Sequence, residues 1–302
     1  MKVAVAGASG FIGSALARRL EAEGHAVVRL VRRTAERPDE VAWHPSSSEI
    51  EQWERLEGVE AFVNLTGANL AAGRWTDARR EEIRRSRIEG TRTLVAVMAH
   101  MNHHPRVFVC ASAVGYYGDR GEEELAEGSG PGRGFLAELC HAWEEEARVA
   151  AAVGIRSVML RMGLVLGPGG GALARMLPAF RAGVGGRLGG GRQWVSWIAR
   201  EDLLSVIARA LGDGRLDGPV NAVAPAPVRN AEFADTLAAV LGRAAVLPVP
   251  AIMLRTLFGK MADEALLASA RVLPRRLHDA GFEFKYAELA GALRAAVSPA
   301  GA

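Results

Sequence analysis

The chain has 302 residues, enough for one large domain or two moderate ones with a full core. Its 49% hydrophobic and 24% charged residues are ordinary for a globular protein, and 37 basic against 34 acidic side chains leave a net charge of only +3. The charges are scattered, so no basic stripe for nucleic acid is expected, and no apolar stretch reaches the roughly 18 residues that a membrane span needs.

The N-terminal apolar run is cut by Gly7, Ser9 and Gly10, which argues against a signal peptide. Cys110 and Cys140 lie in apolar segments without metal-type spacing, so no metal site is expected and a reduced, cytoplasmic setting is.

Residues 1–13 read as a strand, a tight turn and the start of a helix. Val3 and Val5 suit a buried parallel strand, and Phe11, Ile12, Ala15, Leu16 and Leu20 recur at helical spacing. Between them Gly7, Gly10 and Gly13 let the backbone turn sharply and approach a pyrophosphate, whose charge amides at a helix N-terminus would meet. The expected cofactor contacts here are Gly7, Ser9, Gly10, Phe11, Ile12 and Gly13.

A second strand, Ala26–Val31, follows. About 20 residues beyond such a turn an NAD site usually offers Asp or Glu to the ribose hydroxyls. Here Arg32 and Arg33 stand instead, and a guanidinium suits the 2′-phosphate of NADP (NADPH); the alternative is a pair of solvated loop arginines.

Val41–Trp43 reads as a short strand, Glu51–Leu56 as a short helix, and Ala61–Ala68 as a buried strand ending in a small-residue loop. Ligands lie at the carboxyl ends of parallel strands, so Leu65, Thr66 and Gly67 are expected near the cofactor. Thr76 is placed to cap a long helix running to Met101, and Val107–Ser112 is the next strand. It leads into Ala113–Gly118, the expected chemical centre, followed by a helix over 134–152 and a strand over 155–160 that ends at Arg161.

This alternation predicts an α/β fold, a Rossmann-type doubly wound parallel sheet. Glycine-dense stretches at 163–171 and 183–191 flank a further helix and are expected to be cleft walls or a lid. A helix from Arg200 to Leu211, a last strand over 219–223 and a mainly helical remainder follow, with caps at Asn230 and Asp263 and an extended piece at Phe282–Phe284. The expected division is a nucleotide domain of residues 1–166 with 193–223, and a substrate-cleft domain of 167–192 with 224–302.

The Gly-x-x-Gly-x-x-Gly spacing, Asn64–Gly67, Ala111–Gly118, Trp143-Glu144, Arg161–Gly167 and Trp197-Ile198 together resemble the atypical, extended short-chain dehydrogenase/reductases of the NAD(P)-dependent or nucleoside-diphosphate-sugar epimerase type. Pro248–Pro250, Gly259–Met261 and Ala280–Phe284 are similar to the small C-terminal domain of unknown function that accompanies that family. Two departures stand out: Ala199 occupies a position where members often have histidine, and Lys260 one where they often have glutamate.

The resemblance also calls for a Tyr-x-x-x-Lys pair on the helix after the fifth strand, in which the ammonium lowers the tyrosine pKa. Here the tyrosine position falls at Phe135 or Leu136 and the lysine position at Leu139 or Cys140. No register shift restores the pair, since lysine occurs only at 2, 260 and 285.

Ser112, Tyr116 and Tyr117 are the candidate replacements: a tyrosine would supply the proton, Ser112 would polarise a carbonyl, and Arg161 or Arg200 would fix an anionic substrate group, with Arg161 also counted among the cofactor contacts. Packing as loop anchors is the alternative for the tyrosines. The expected function is an NADP-dependent oxidoreductase or epimerase acting on a small-molecule carbonyl or hydroxyl substrate, with a nucleotide sugar and a homodimer as further options. Its rival is a non-catalytic NADP(H)-binding sensor.

Overall fold

Short runs of valine, alanine and other apolar residues build the central sheet. Among the residues that the computed structural model describes, 1–45, 47, 49–245 and 247–298, it has eight strands: β1 (Lys2–Ala6), β2 (Ala26–Val31), β3 (Glu40–His44), β4 (Glu49–Ile50), β5 (Ala61–Asn64), β6 (Val107–Ala113), β7 (Arg156–Met162) and β8 (Gly218–Ala222). Their order is β8-β7-β6-β5-β1-β2-β3-β4, and every pairing is parallel except that of β3 with β4. Val3 to Ala6 are all buried, as a parallel strand covered on both faces requires. The chain moves outward from β1 through β2 to β4, then returns to the other side of β1 with β5. The strand order therefore reverses between β1 and β5, where a crevice opens at the carboxyl ends.

The described helices are α1 (Gly13–Ala22), α2 (Asp77–His100), α3 (Phe135–Arg148), α4 (Gly171–Arg181), α5 (Arg200–Gly212), α6 (Asn230–Val240), α7 (Ala251–Phe258), α8 (Arg275–Asp279) and α9 (Leu289–Val297). On one face of the sheet Leu16 and Leu20 of α1 pack with Leu203 and Ile207 of α5, all fully buried; each such side chain contributes about 1.5–3 kcal/mol. On the other face Leu94 and Met98 of α2 meet Trp143 and Ala147 of α3. A further core joins α4, α6 and α9 around Trp197, Phe233 and Leu293.

The C-terminal part is fastened to the helix that borders the crevice. Glu264 Oε2 accepts the Leu136 amide of α3 at 2.8 Å, supplying the acceptor that the Gly134 N-cap lacks. Met261 packs with Trp75 and Leu136 in the same region.

Thr76 caps α2, its hydroxyl accepting the Arg79 amide at 3.2 Å. The other two expected caps are corrected. Asn230 is the first residue of α6 and its Oδ1 accepts the Leu188 amide at 2.7 Å, because the chain enters α6 directly from the extended pair Val228–Arg229. Asp263 lies within a π-helical turn, Ala262–Leu266, and pairs with Arg255 at 2.8 Å. Phe282 and Phe284 form an edge-to-face pair, 4.8 Å between centroids, and join no strand. No described helix is long and apolar enough to cross a membrane, and no group of metal-ligating side chains is found among the described residues.

Candidate active site

The glycine turn closes on itself. Gly7 has φ +85°, a region that favours glycine, and its carbonyl accepts the Gly10 amide at 2.9 Å. A Cβ on Gly7 would lie 3.0 Å from the Leu65 carbonyl, and one on Gly13 would overlap the Gly7 oxygen, so the turn, α1 and the loop after β5 meet without side chains between them. The amides of Phe11, Ile12 and Gly13 carry no partner among the described residues and form a cradle at the positive end of α1. Ser9 and Gly10 beside them are exposed.

The Phe11 ring packs against the backbone of Gly170 and Gly171. Arg200 stacks on it with Cζ 4.8 Å from the centroid, and the same guanidinium donates to the Pro168 carbonyl at 3.0 Å. Arg200 thus ties the glycine-dense loop after residue 166 to the nucleotide turn. Burial, then the nearby Arg18 charge, hold its pKa below the usual arginine value.

At the end of β2 the two arginines separate. Arg33 donates to Glu40 Oε1 at 2.7 Å, and that buried carboxylate also accepts Arg37 and the Glu36 amide. The amide, then Arg33 and Arg37, bring the Glu40 pKa down to about 2. Arg32 is exposed with no hydrogen-bond or ion-pair partner among the described residues, so it is the guanidinium open to a phosphate.

The ends of β5 to β8 are joined by a buried polar network. Thr66 turns its hydroxyl inward to Asn64 Oδ1 at 2.6 Å, and Asn64 in turn donates to Thr91, leaving the exposed backbone of Gly67 at the surface. Ser112 donates to Glu144 Oε1 at 2.7 Å. Arg161 grips both oxygens of Glu144 at 2.8 Å and also donates to the Tyr117 hydroxyl at 2.9 Å. The Tyr117 hydroxyl reaches Asn221 Oδ1 at 2.7 Å, and Glu127 accepts the Asn221 amide at 3.1 Å.

Three expectations, for Arg161, Tyr117 and Ser112, therefore change. The Arg161 guanidinium is 1% exposed and its hydrogen bonds run to Glu144, Tyr117 and the Glu127 carbonyl inside the fold, in place of the expected ligand contact. Burial works against its charge, but the hydrogen bonds and charge of Glu144 outweigh that and hold its pKa above the ordinary value. The Tyr117 hydroxyl is likewise internal, and burial pushes its pKa up to about 12. Ser112, 1% exposed, donates its hydroxyl proton to Glu144, in place of the expected polarisation of a carbonyl. Tyr116 differs: its ring lies under the Arg161 guanidinium, Cζ 3.5 Å from the centroid, while its hydroxyl has no partner among the described residues and is not sealed from solvent.

The family described as NAD dependent epimerase/dehydratase matches residues 3–222 of the chain. The chain belongs to this NAD dependent epimerase/dehydratase family. A domain of unknown function, DUF1731, matches residues 249–296. An epimerase family protein of Mycobacterium bovis is 43% identical over 291 residues, 96% of each chain. The human epimerase family protein SDR39U1 is 36% identical over 301 residues, 99% of this chain and 100% of the relative. Its crystal structure with NADPH superposes with a TM-score of 0.90 at 34% identity, covering 98% and 99% of the two chains. A nucleoside-diphosphate sugar epimerase from Corynebacterium glutamicum is similar at 34% identity and a TM-score of 0.79, over 98% of this chain and 58% of its own.

In this epimerase-family chain, α3 presents Phe135 or Leu136, and Leu139 or Cys140, where the tyrosine and lysine would stand. Phe135, Leu136 and Leu139 carry no exchangeable side-chain proton, and burial raises the Cys140 thiol pKa to about 12, so none of the four exchanges a proton near neutrality. Glu144, Glu127 and Asn221 carry the network, although no motif in the sequence marks them for that role. The signal in the sequence is a pair of exceptions: a glutamate on the apolar face of α3 and an arginine inside the run Val158-Met159-Leu160-Arg161-Met162.

Proposed function

We propose that the chain is an NADP(H)-dependent oxidoreductase or epimerase acting on an oxygen-bearing carbon of a small molecule, with nucleotide sugars as the first substrate class to test. The observation that carries this reading is the cradle of free amides at Phe11, Ile12 and Gly13 after β1, with the unpartnered Arg32 after the neighbouring parallel strand β2. Those groups fit a dinucleotide: the amides would hold the diphosphate and Arg32 the 2′-phosphate, while Leu65 and Gly67 border the crevice beyond Gly7. NADPH in the human relative and the name of the Corynebacterium relative support the cofactor and the substrate class respectively.

When bound, the nicotinamide supplies the hydride. The proton on the substrate oxygen falls to Tyr116, a buried residue whose hydroxyl has no partner among the described residues while its ring is held by Arg161. Ser112 and Tyr117 act as supports: Ser112 braces Glu144, Glu144 fixes Arg161, and Arg161 and Tyr117 back the loop that presents Tyr116.

The same internal use of Ser112 and Tyr117 favours, as a second reading, a protein that binds NADP(H) without turning over a substrate. Calorimetric titration with NADPH tests the shared part, and absence of binding in the micromolar range removes both readings. Turnover of NADPH with carbonyl compounds and nucleotide sugars then separates them.

A further inference from the structure

Arg87, on α2, points its guanidinium under the loop that follows β5. A Cβ built on Gly67 would lie 2.8 Å from Arg87 Cζ and 2.9 Å from Nη2, so the loop backbone rests on the cation itself. Trp143 of α3 lies alongside, with Cζ 5.3 Å from its ring centroid. Nη1 donates to the carbonyls of Ile83 and Ala68, each at 3.2 Å, which fixes the plane of the group. Nε and Nη2 have no partner among the described residues, and neither is sealed from solvent.

Arg87 also makes no ion pair among the described residues. Burial dominates its electrostatics, the nearby Arg79 adds to the penalty, and together they hold its pKa below the ordinary arginine value. An uncompensated, part-buried cation is costly in a resting fold and acquires its partner when an acceptor-rich ligand arrives. The position says which part of a ligand that is. Arg87 sits on the β5 and β6 side of the strand reversal, whereas Arg32 marks the opposite side, at β2. A dinucleotide lying across the reversal with its 2′-phosphate at Arg32 brings its nicotinamide half to Gly67. The neighbouring face of α3 offers Leu136, Leu139 and Cys140 there and no cation.

We infer that Arg87 is the cationic anchor of the reacting half of NADP(H), its free N–H groups donating to the adjacent hydroxyls of the nicotinamide-side ribose. This rests on the NADP(H) reading and adds a positioning residue to it. The forked donors of a guanidinium match two neighbouring oxygens, and the charge strengthens both hydrogen bonds.

The test is calorimetric titration of wild type, Arg87→Met and Arg87→Gln with two ligands: NADPH, and 2′,5′-ADP, which carries the adenosine half and its 2′-phosphate but no nicotinamide. The expected result for Arg87→Met is a loss of about tenfold or more in NADPH affinity with 2′,5′-ADP binding held within about twofold. Arg87→Gln keeps the stem and an N–H₂ group and is expected to lose several-fold for NADPH alone; it decides the matter if the methionine variant does not fold. Unchanged NADPH affinity in a folded variant overturns the assignment. Equal loss of both ligands also overturns it, because a merely structural arginine would disturb both halves. Wild type that binds neither ligand removes the NADP(H) reading itself, and the assignment with it.

Discussion

Arg32 and Arg33 are neighbours in sequence with different work to do. Arg33 is bound to Glu40, while Arg32 has no partner among the described residues and is free to meet a phosphate. Arg32→Ala is therefore expected to weaken NADPH binding by about 1.5–3 kcal/mol, roughly 10- to 150-fold in Kd, and to leave NADH unchanged, as fluorescence titration would show. The tyrosines divide in the same way. Tyr116→Phe should lower turnover by about two orders of magnitude or more, whereas Tyr117→Phe should reduce stability by about 1–3 kcal/mol and leave most of the rate. Wild-type rates in both variants would end the case for a catalytic tyrosine. Deeper in the fold, Glu144→Gln leaves the Arg161 charge, 1% exposed, without its counter-ion. Urea unfolding should register a loss of about 3–5 kcal/mol, and an Arg161→Met change added to Glu144→Leu should recover part of it.

Elements are legible in the sequence where their period is regular. The turn at Gly7–Gly13, the cap at Thr76 and the parallel strands follow from residue type and spacing, since buried strands and glycine contacts are local requirements. Pairing across the fold is not legible in this way. Nothing near Ser112 in the chain announces Glu144, 32 residues on, and nothing near Tyr117 announces Asn221, 104 residues on. For that reason Ser112 and Tyr117 read as catalytic hydroxyls in the sequence and as internal supports in the structure. The bond from Glu264 to the start of α3 is of the same kind, spanning 128 residues. It is also testable at the scale of the element: Glu264→Ala removes the acceptor of the Leu136 amide and the negative charge at the helix N-terminus. Stability should fall by about 1 kcal/mol, seen as a lower urea midpoint with an unchanged slope.

Across the whole molecule, two carboxylates act as clasps between segments, and both are strongly acidic. Glu40 closes the β2–β3 connection by accepting the Glu36 amide, Arg33 and Arg37, and its pKa falls from the ordinary 4.5 to about 2. Glu122 holds Arg229 and the Trp194 indole at 3.1 Å, joining the loop after Tyr117 to the C-terminal half, and its pKa also falls to about 2. A carboxylate with a depressed folded-state pKa contributes stability that is fully present above the unfolded value and is lost as the pH falls through the folded one. Thermal unfolding followed by circular dichroism should thus give a melting temperature that changes little from pH 7 to about 5 through these groups and then drops between about 4.5 and 2. Glu40→Gln and Glu122→Gln should each melt below wild type at pH 7 and converge on it toward pH 2, where the wild-type carboxyls are themselves neutral. Melting curves that stay parallel to wild type across the acid range would show that the acid sensitivity resides elsewhere and that these two residues are not the clasps.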